Sequence, residues 1–416
     1  MEAAAACLPE DVVLEILVRV ADAAFLFRCA MACKRWLRLV VDPSFLRRCW
    51  PEDACDPSSL LGCFTTQHQY RRHDCQFCSK PVFLPVPRQS TTLGSFVPSA
   101  AGLLDRAVPL VARRGLILVR VAGAHADLAT RYQYCDLVLN LAVYNLFAGT
   151  CDVLPPLRCD SLSARDDTKG YAILTGAELQ SDLSFFKVLI IGLDKSESRH
   201  NLHTFSSSRS GWSTPTHCFC PRERPRILLD TILHRDAVVC RDTTHWIFSD
   251  SSNNYTLGVD VVTDHVTSLS KLPIPPELMQ PSHIPYSTPM LCAMAGGTLS
   301  SCSLYTGGSL LEIWTRQDDA DAWLRTRVIH LQLPKHIADG HGGGLAICWA
   351  EKSRTLLALH SPETLYIADA ETGAMEEVPT QLHGDDARTA SLLRDAMAIE
   401  MDWPALFLSR LGNLSF

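Results

Sequence analysis

The chain reads as an α+β multidomain protein, a small N-terminal all-α unit followed by an all-β domain of six-bladed β-propeller type. Three observations predict this. Helical spacing of apolar residues, with helix-start residues, marks the first fifty positions. After Pro51 the texture changes to short apolar runs punctuated by Gly, Pro, Ser and Asp. A weak internal repeat of about 55 residues then organises those runs.

Composition sets the bounds. With 416 residues, 47% hydrophobic and 20% charged, the chain holds enough apolar material for a substantial core and for more than one folding unit. A formal net charge of −7 argues against a protein built to coat nucleic acid, which needs a clustered basic surface. The 17 cysteines are odd in number and follow no regular framework, so they read as small buried apolar residues in a reducing compartment. Met1 to Ala6 lack the positive start of a signal peptide, and no apolar run reaches the ~18 residues of a membrane span. The expectation is a cytoplasmic or nuclear protein without nucleic-acid or membrane partners.

Leu8-Pro9-Glu10-Asp11 reads as a helix start, with two acids at the positive end of the dipole. Val13, Ile16, Leu17 and Val20 follow at helical spacing and form one apolar stripe. Asp22 is placed to cap a second helix whose apolar face carries Phe25, Leu26, Cys29, Ala30 and Cys33. A third runs from Lys34 to Val40 and ends before Asp42-Pro43. Ser44 is placed to cap a last turn through Phe45, Leu46 and Trp50. Such a unit buries too little surface to be very stable alone. On pattern alone it is either a partner-binding module or a cap on the domain that follows.

The residues themselves separate those readings. Leu8 to Leu17, then Arg28-Cys29-Ala30, then Cys33-Lys34-Arg35-Trp36, resemble the F-box motif, and Asp42-Pro43-Ser44-Phe45-Leu46 follows as it does in plant F-box proteins. The resemblance covers residues 7–50; the Ala21 to Ala24 link departs from the Leu-Pro that many members carry there. It implies docking on a Skp-family adaptor, and through it on a cullin. The family's contact pattern falls on Leu8, Pro9, Val13, Ile16, Leu17, Leu26, Cys33 and Trp36.

In the remainder, strands are expected at Leu116-Val121, Leu137-Tyr144, Phe185-Ile191, Ala237-Cys240, His245-Phe248 and Leu257-Val262. Others fall at Leu310-Trp314, Leu345-Trp349, Leu356-His360 and Leu365-Ala368, with one short helix at Asp386-Ala396. The repeat landmarks lie at 150, 212, 263, 323 and 372, close to the length of a four-stranded propeller blade. Five blades are visible. Residues 52–105 and 380–416 are available to close a sixth from both ends, so the division is 7–50 helical, 51–105 linker with ring-closing strands, and 106–416 propeller. The alternative is a pair of β-sandwiches. This half is similar to the F-box-associated propeller domains of large plant families.

Chemical motifs are sparse. His73 and the Cys75-x-x-Cys78 pair offer a zinc half-site, but the next pair, Cys218 and Cys220 beside His217, has the wrong internal spacing. His341-Gly342-Gly343-Gly344 matches a lipase oxyanion loop, yet no G-x-S-x-G nucleophile accompanies it. Lys34, Arg35, Arg38 and the pairs Arg47-Arg48 and Arg71-Arg72 make a modest basic surface. The reading is therefore a receptor without cofactor, metal or catalytic residue, which bridges a protein target to a ubiquitin ligase. A scaffold outside any ligase and a propeller enzyme are the alternatives.

Overall fold

The computed structural model describes residues 8–20, 22–51, 54–71, 76–86, 107–121, 138–158, 169–176, 179, 185–194, 199–218, 231–249, 253–273, 289–305, 309–317, 322–335, 346–361, 364–379, 392–412 and 414. Four short helices come first: α1 (Glu10–Val18), α2 (Ala23–Ala32), α3 (Lys34–Val40) and α4 (Pro43–Cys49). Their starts follow local chemistry. Asp22 accepts a hydrogen bond from the Phe25 amide at 2.7 Å, and the Cys33 thiol caps α3 at the Trp36 amide. The cap of α4 is Asp42 rather than Ser44. Its carboxylate takes the Ser44 and Phe45 amides, with Pro43 at the first helical position where its missing N–H costs nothing.

Seven sheets follow among the described residues: six are the blades of a propeller, and Val138–Leu139 with Leu157–Arg158 makes a two-stranded one beside blade 1. Blade 1 comprises Ala107–Arg113, Leu116–Val121, Leu141–Asn145 and Thr150–Val153. Blade 2 comprises Lys169–Thr175, Phe186–Asp194, Arg199–Ser206 and Thr216–His217. In blade 3, Val238–Cys240 and Thr231–Ile232 both pair with Thr243–Ser249, ahead of Asn254–Asp260 and Val266–Lys271. Blade 4 holds Met290–Met294, Thr298–Tyr305, Leu310–Arg316 and Trp323–His330. Blade 5 holds Ala346–Ala350, Thr355–Ser361, Thr364–Asp369 and Met375–Pro379. The sixth sheet is drawn from both ends of the chain. Leu392–Glu400 pairs with Leu60–Arg71, which pairs with Gln76–Pro85, and Leu60 lies opposite Glu400. Leu392–Ala396 is strand, so the helix expected over Asp386-Ala396 is not formed there; residues 386–391 lie outside the described residues.

The repeat in the sequence has a structural cause. All five landmarks fall where the third strand of a blade passes to the fourth. In three blades an Asn or Asp closes that turn onto backbone amides. The Asn145 side chain accepts from Ala148, Asp260 from Val262 and Thr263, and Asp369 from Glu371 and Thr372.

The core runs round the ring between blades. One cluster joins blades 6, 1 and 2, and others lie between blades 2 and 3, 3 and 4, 4 and 5, and 5 and 6. The innermost strand of a blade is therefore buried on both faces; every residue from Lys169 to Thr175 is buried. The inward-facing strands sit side by side, and Tyr171 of blade 2 bridges in parallel to Asp236, just ahead of Val238–Cys240 in blade 3.

Among the described residues a fifth helix, α5 (Trp403–Leu411), follows the last strand, within the stretch assigned to the propeller from sequence. It belongs physically to the N-terminal helices. Phe407 and Leu411 are buried in the same cluster as Val13, Leu17, Leu26 and Leu46. The Phe407 ring lies 5.7 Å from Phe27, edge-on, and 5.3 Å from Trp50. On its other side, Arg410 donates to the Phe147 carbonyl of blade 1 and Trp403 Nε1 donates to the Ser58 carbonyl.

Candidate functional site

Two surfaces carry functional character. The first is the outer face of α1 and α2. Val12 and Ile16 are exposed at 39% and 49%, four residues apart on one face of α1, and Leu8, just ahead of the Pro9 that starts the helix, is exposed at 53%. Phe25 and Met31 of α2 are exposed at 53% and 43%. Half of the ten large apolar side chains exposed among the described residues thus fall within the first 31 positions, a concentration expected of a partner-binding surface.

Charged pairs hold the helices beneath it. Glu10 lies 2.8 Å from Arg38 and 3.8 Å from Arg35, tying α1 to α3, and Glu15 pairs with Arg48 of α4. The Arg48 guanidinium keeps the Glu15 carboxyl below its ordinary range. Such exposed pairs add little stability, but they neutralise part of the basic surface read from Arg35, Arg38 and Arg48. The side chains of Arg71 and Arg72 lie outside the described residues.

The eight positions expected to meet an adaptor divide in two. Leu8, Pro9, Ile16 and Cys33 are exposed, and Trp36 is partly so. Val13, Leu17 and Leu26 are 3%, 1% and 0% exposed and face inward, in the same core cluster as Phe407 and Leu411 of α5. These three are core residues of the helical unit. Sequence reading treated the whole apolar stripe of α1 as one surface. It passed over Val12, whose spacing from Ile16 puts it on the same exposed face of α1. It also turned Phe25 inward.

The second surface is a cavity of about 700 Å³ at one mouth of the propeller channel. It is walled by the turns that follow the first strands of several blades, and by Arg47, Trp50, Trp403 and Leu408 of the helical unit. Arg113 reaches across from blade 1 to Glu351 of blade 5 at 2.5 Å and donates to the Val239 carbonyl of blade 3 at 3.4 Å. Beside it, Arg114, Arg241 and Arg354 occupy turn positions with φ of 45°, 53° and 50°. Glu400 accepts from the backbone amides of Lys352 and Ser353 at 2.9 and 2.7 Å.

The remaining motifs resolve as follows. Cys218 is buried, and desolvation pushes its thiol up to about 12, while His217 hydrogen-bonds Asn201 at 2.8 Å. Cys63 and Cys240 are likewise pushed up to about 12 by burial. These are unreactive thiols filling apolar space. The side chains of His73, Cys75 and Cys78, and Cys220, lie outside the described residues, as does the segment 341–344. Among the described residues, no three metal-type side chains converge, and no helix is long and apolar enough to cross a membrane.

Comparison with known proteins bears on the two halves differently. A family model described as F-box-like matches residues 5–50. No curated protein matches the chain. Among solved structures, TolB from Acinetobacter baumannii is similar over 82% of this chain and 67% of its own, at 9% identity and a TM-score of 0.43. The Dos1 propeller is similar over 65% of this chain and 58% of its own, at 11% identity and a TM-score of 0.32. AztD from Citrobacter koseri is similar over 71% and 62%, at 12% identity and a TM-score of 0.30. The chain spans less than two thirds of the Dos1 and AztD structures. These likenesses carry no functional argument. The N-terminus is an F-box-like domain, and a six-bladed propeller follows it.

Proposed function

We propose that this chain is the substrate receptor of a Skp–cullin–F-box ubiquitin ligase, of the kind in which plant F-box proteins pair the motif with an associated propeller. The observation that carries the reading is a coincidence. The residues matched by the F-box-like model are those that expose the apolar stripe Leu8, Val12 and Ile16. F-box domains generally bind Skp-type adaptors, and typically belong to non-catalytic subunits. The adaptor contact set is then Leu8, Pro9, Val12, Ile16, Phe25, Cys33 and Trp36, with Val13, Leu17 and Leu26 supporting it from inside. The division at 7–50, 51–105 and 106–416 holds in this reading, with α5 acting as part of the helical unit.

The mechanism is proximity. The helical unit holds the adaptor and cullin while the propeller holds a protein target, and raised effective concentration at the ubiquitin-charged enzyme supplies the rate. No side chain of this chain has to be a nucleophile. Such a complex works in the cytoplasm or nucleus.

The test is co-purification of the full chain with a Skp-family adaptor, beside Ile16→Asp. Ile16 is half exposed, so the variant is expected to keep its melting temperature. Loss of one central apolar anchor costs about 2 kcal/mol, roughly 30-fold in affinity. Failure of the well-folded parent chain to bind any Skp-family adaptor would sink the ligase reading in favour of a scaffold outside the ligase.

A further inference from the structure

Of the 38 basic residues in the chain, eight are lysine and thirty are arginine. Lysine is ordinarily among the commonest residues of soluble domains, so eight in 416 is a marked shortage. We propose, resting on the receptor reading, that the chain is built as a poor acceptor of the ubiquitin its own ligase transfers. Lys271 and Lys335 are the acceptors left to it.

The chemistry of transfer sets which side chains count. A neutral lysine ε-amine attacks the thioester carbonyl through which ubiquitin is held on its carrying enzyme. A C–N bond forms, the C–S bond breaks, the carrier's cysteine leaves as the thiolate, and the amine's surplus proton passes to it or to solvent. An ammonium gives up its proton to become that nucleophile, whereas a guanidinium stays protonated in proteins. Arginine therefore keeps positive charge on the surface and offers no acceptor. The need is real for a receptor. The tether that raises the target's effective concentration at the charged enzyme raises that of the receptor's own amines as well.

The structure withdraws most of the lysines that remain. Lys169 and Lys187 are 3% and 8% exposed. Lys187 also pairs with Asp264 at 2.6 Å and donates to the Val261 carbonyl at 2.7 Å. Lys352 is half-buried, and its Nζ donates to the Pro51 carbonyl at 2.9 Å. Lys34 is exposed but adjoins Cys33, within the face assigned to the adaptor. The side chain of Lys80, and Lys195, lie outside the described residues. Lys271 ends the fourth strand of blade 3, Lys335 follows that of blade 4, and both are exposed.

Arginine meanwhile fills exposed positions that ask nothing of its geometry. Arg38 and Arg48 serve exposed pairs with Glu10 and Glu15, where either cation adds little. Arg158, Arg209 and Arg327 are exposed beside blade 1 and on blades 2 and 4. Bidentate contact is what favours arginine over lysine in a folded domain. None of these three makes an ion pair or side-chain hydrogen bond among the described residues.

The experiment assembles the full chain with a Skp-family adaptor and a cullin, supplies the ubiquitin-charged enzyme, and follows ubiquitin joined to the chain. Release of ubiquitin onto free lysine in solution reports that the assembly is active. Arg158→Lys, Arg209→Lys and Arg327→Lys together keep the charge, and at exposed positions are expected to keep the fold and adaptor binding. They raise the exposed amines outside the adaptor face from two to five among the described residues. Self-modification is expected to rise about two- to threefold in proportion. In the parent chain, mass spectrometry is expected to place modification on Lys271 and Lys335, and Lys271→Arg with Lys335→Arg to remove most of it. An active assembly whose triple variant is modified no faster than the parent overturns the proposal. Parent modification concentrated on any other lysine does the same, and both outcomes leave the receptor reading standing. Failure to bind an adaptor, or to release ubiquitin onto free lysine, sinks the receptor reading and this proposal with it.

Discussion

Ile16 and Leu17 are adjacent and chemically alike, yet one faces out at 49% exposure and the other is 1% exposed in a core that includes α5. Helical spacing identified both as apolar-face residues and had no means to separate them. His200 and His245 show burial acting on charge. Desolvation lowers His200 to about 4, and desolvation with nearby Arg316 lowers His245 to about 3, from an ordinary 6.5. Both rings are neutral in the folded chain, and His200 lies edge-on to Phe248 at 4.9 Å. Below 6.5 the unfolded chain takes up protons that the folded chain refuses. Stability is therefore complete above about pH 6.5 and is lost as pH falls toward 4 and then 3. Asp260 and Asp369 add a separate window: backbone amides hold both carboxyls below the ordinary 3.8, so their contribution disappears only in stronger acid. The expected outcome is a melting temperature, followed by circular dichroism, that declines from pH 7 to pH 4.5. The slope should flatten in a His200→Gln, His245→Gln variant; an unchanged slope would contradict the assignment.

Among elements, α5 has the largest consequence. Its sequence, Trp403-Pro404-Ala405-Leu406-Phe407, follows an Asp402 cap that the sequence reading passed over, and its packing partner lies in the first fifty residues. Phe407 is fully buried between Phe27 and Trp50. Phe407→Ala is expected to cost about 3–5 kcal/mol, read as a lower denaturant midpoint, and to weaken adaptor binding although the residue touches no partner. A stable variant with full binding would show that α5 is dispensable. Strand positions were better read: the second and third strands of most blades were anticipated because they are apolar on both faces. The exposed fourth strands, such as Trp323–His330, were missed, and the two long strands of the sixth blade were expected only as ring-closing strands somewhere within 52–105. Solvated outer strands carry polar residues that a reading by apolar runs passes over.

At the scale of the molecule, closure of the ring by Leu392–Glu400 against Leu60–Arg71, and of the helical core by α5, make both ends of the chain structural. Removing residues 392–416 is expected to abolish a single cooperative unfolding transition in differential scanning calorimetry, since it opens the sixth blade and uncovers the core around Leu17 and Leu26. Retention of that transition would mean that the propeller closes without its last strand. What could be read locally was the helix start at Asp22, the turns that set the repeat, the change of texture after Pro51 and the F-box-like residue order. Each of these is specified within a few neighbouring residues, by capping, turn chemistry or periodicity. Only the tertiary structure decided which apolar residues of α1 stay exposed, where α5 packs, and that arginines of three blades share one cavity with Trp349. Those outcomes depend on surfaces that meet across hundreds of residues, and burial is a property of the partner as much as of the residue.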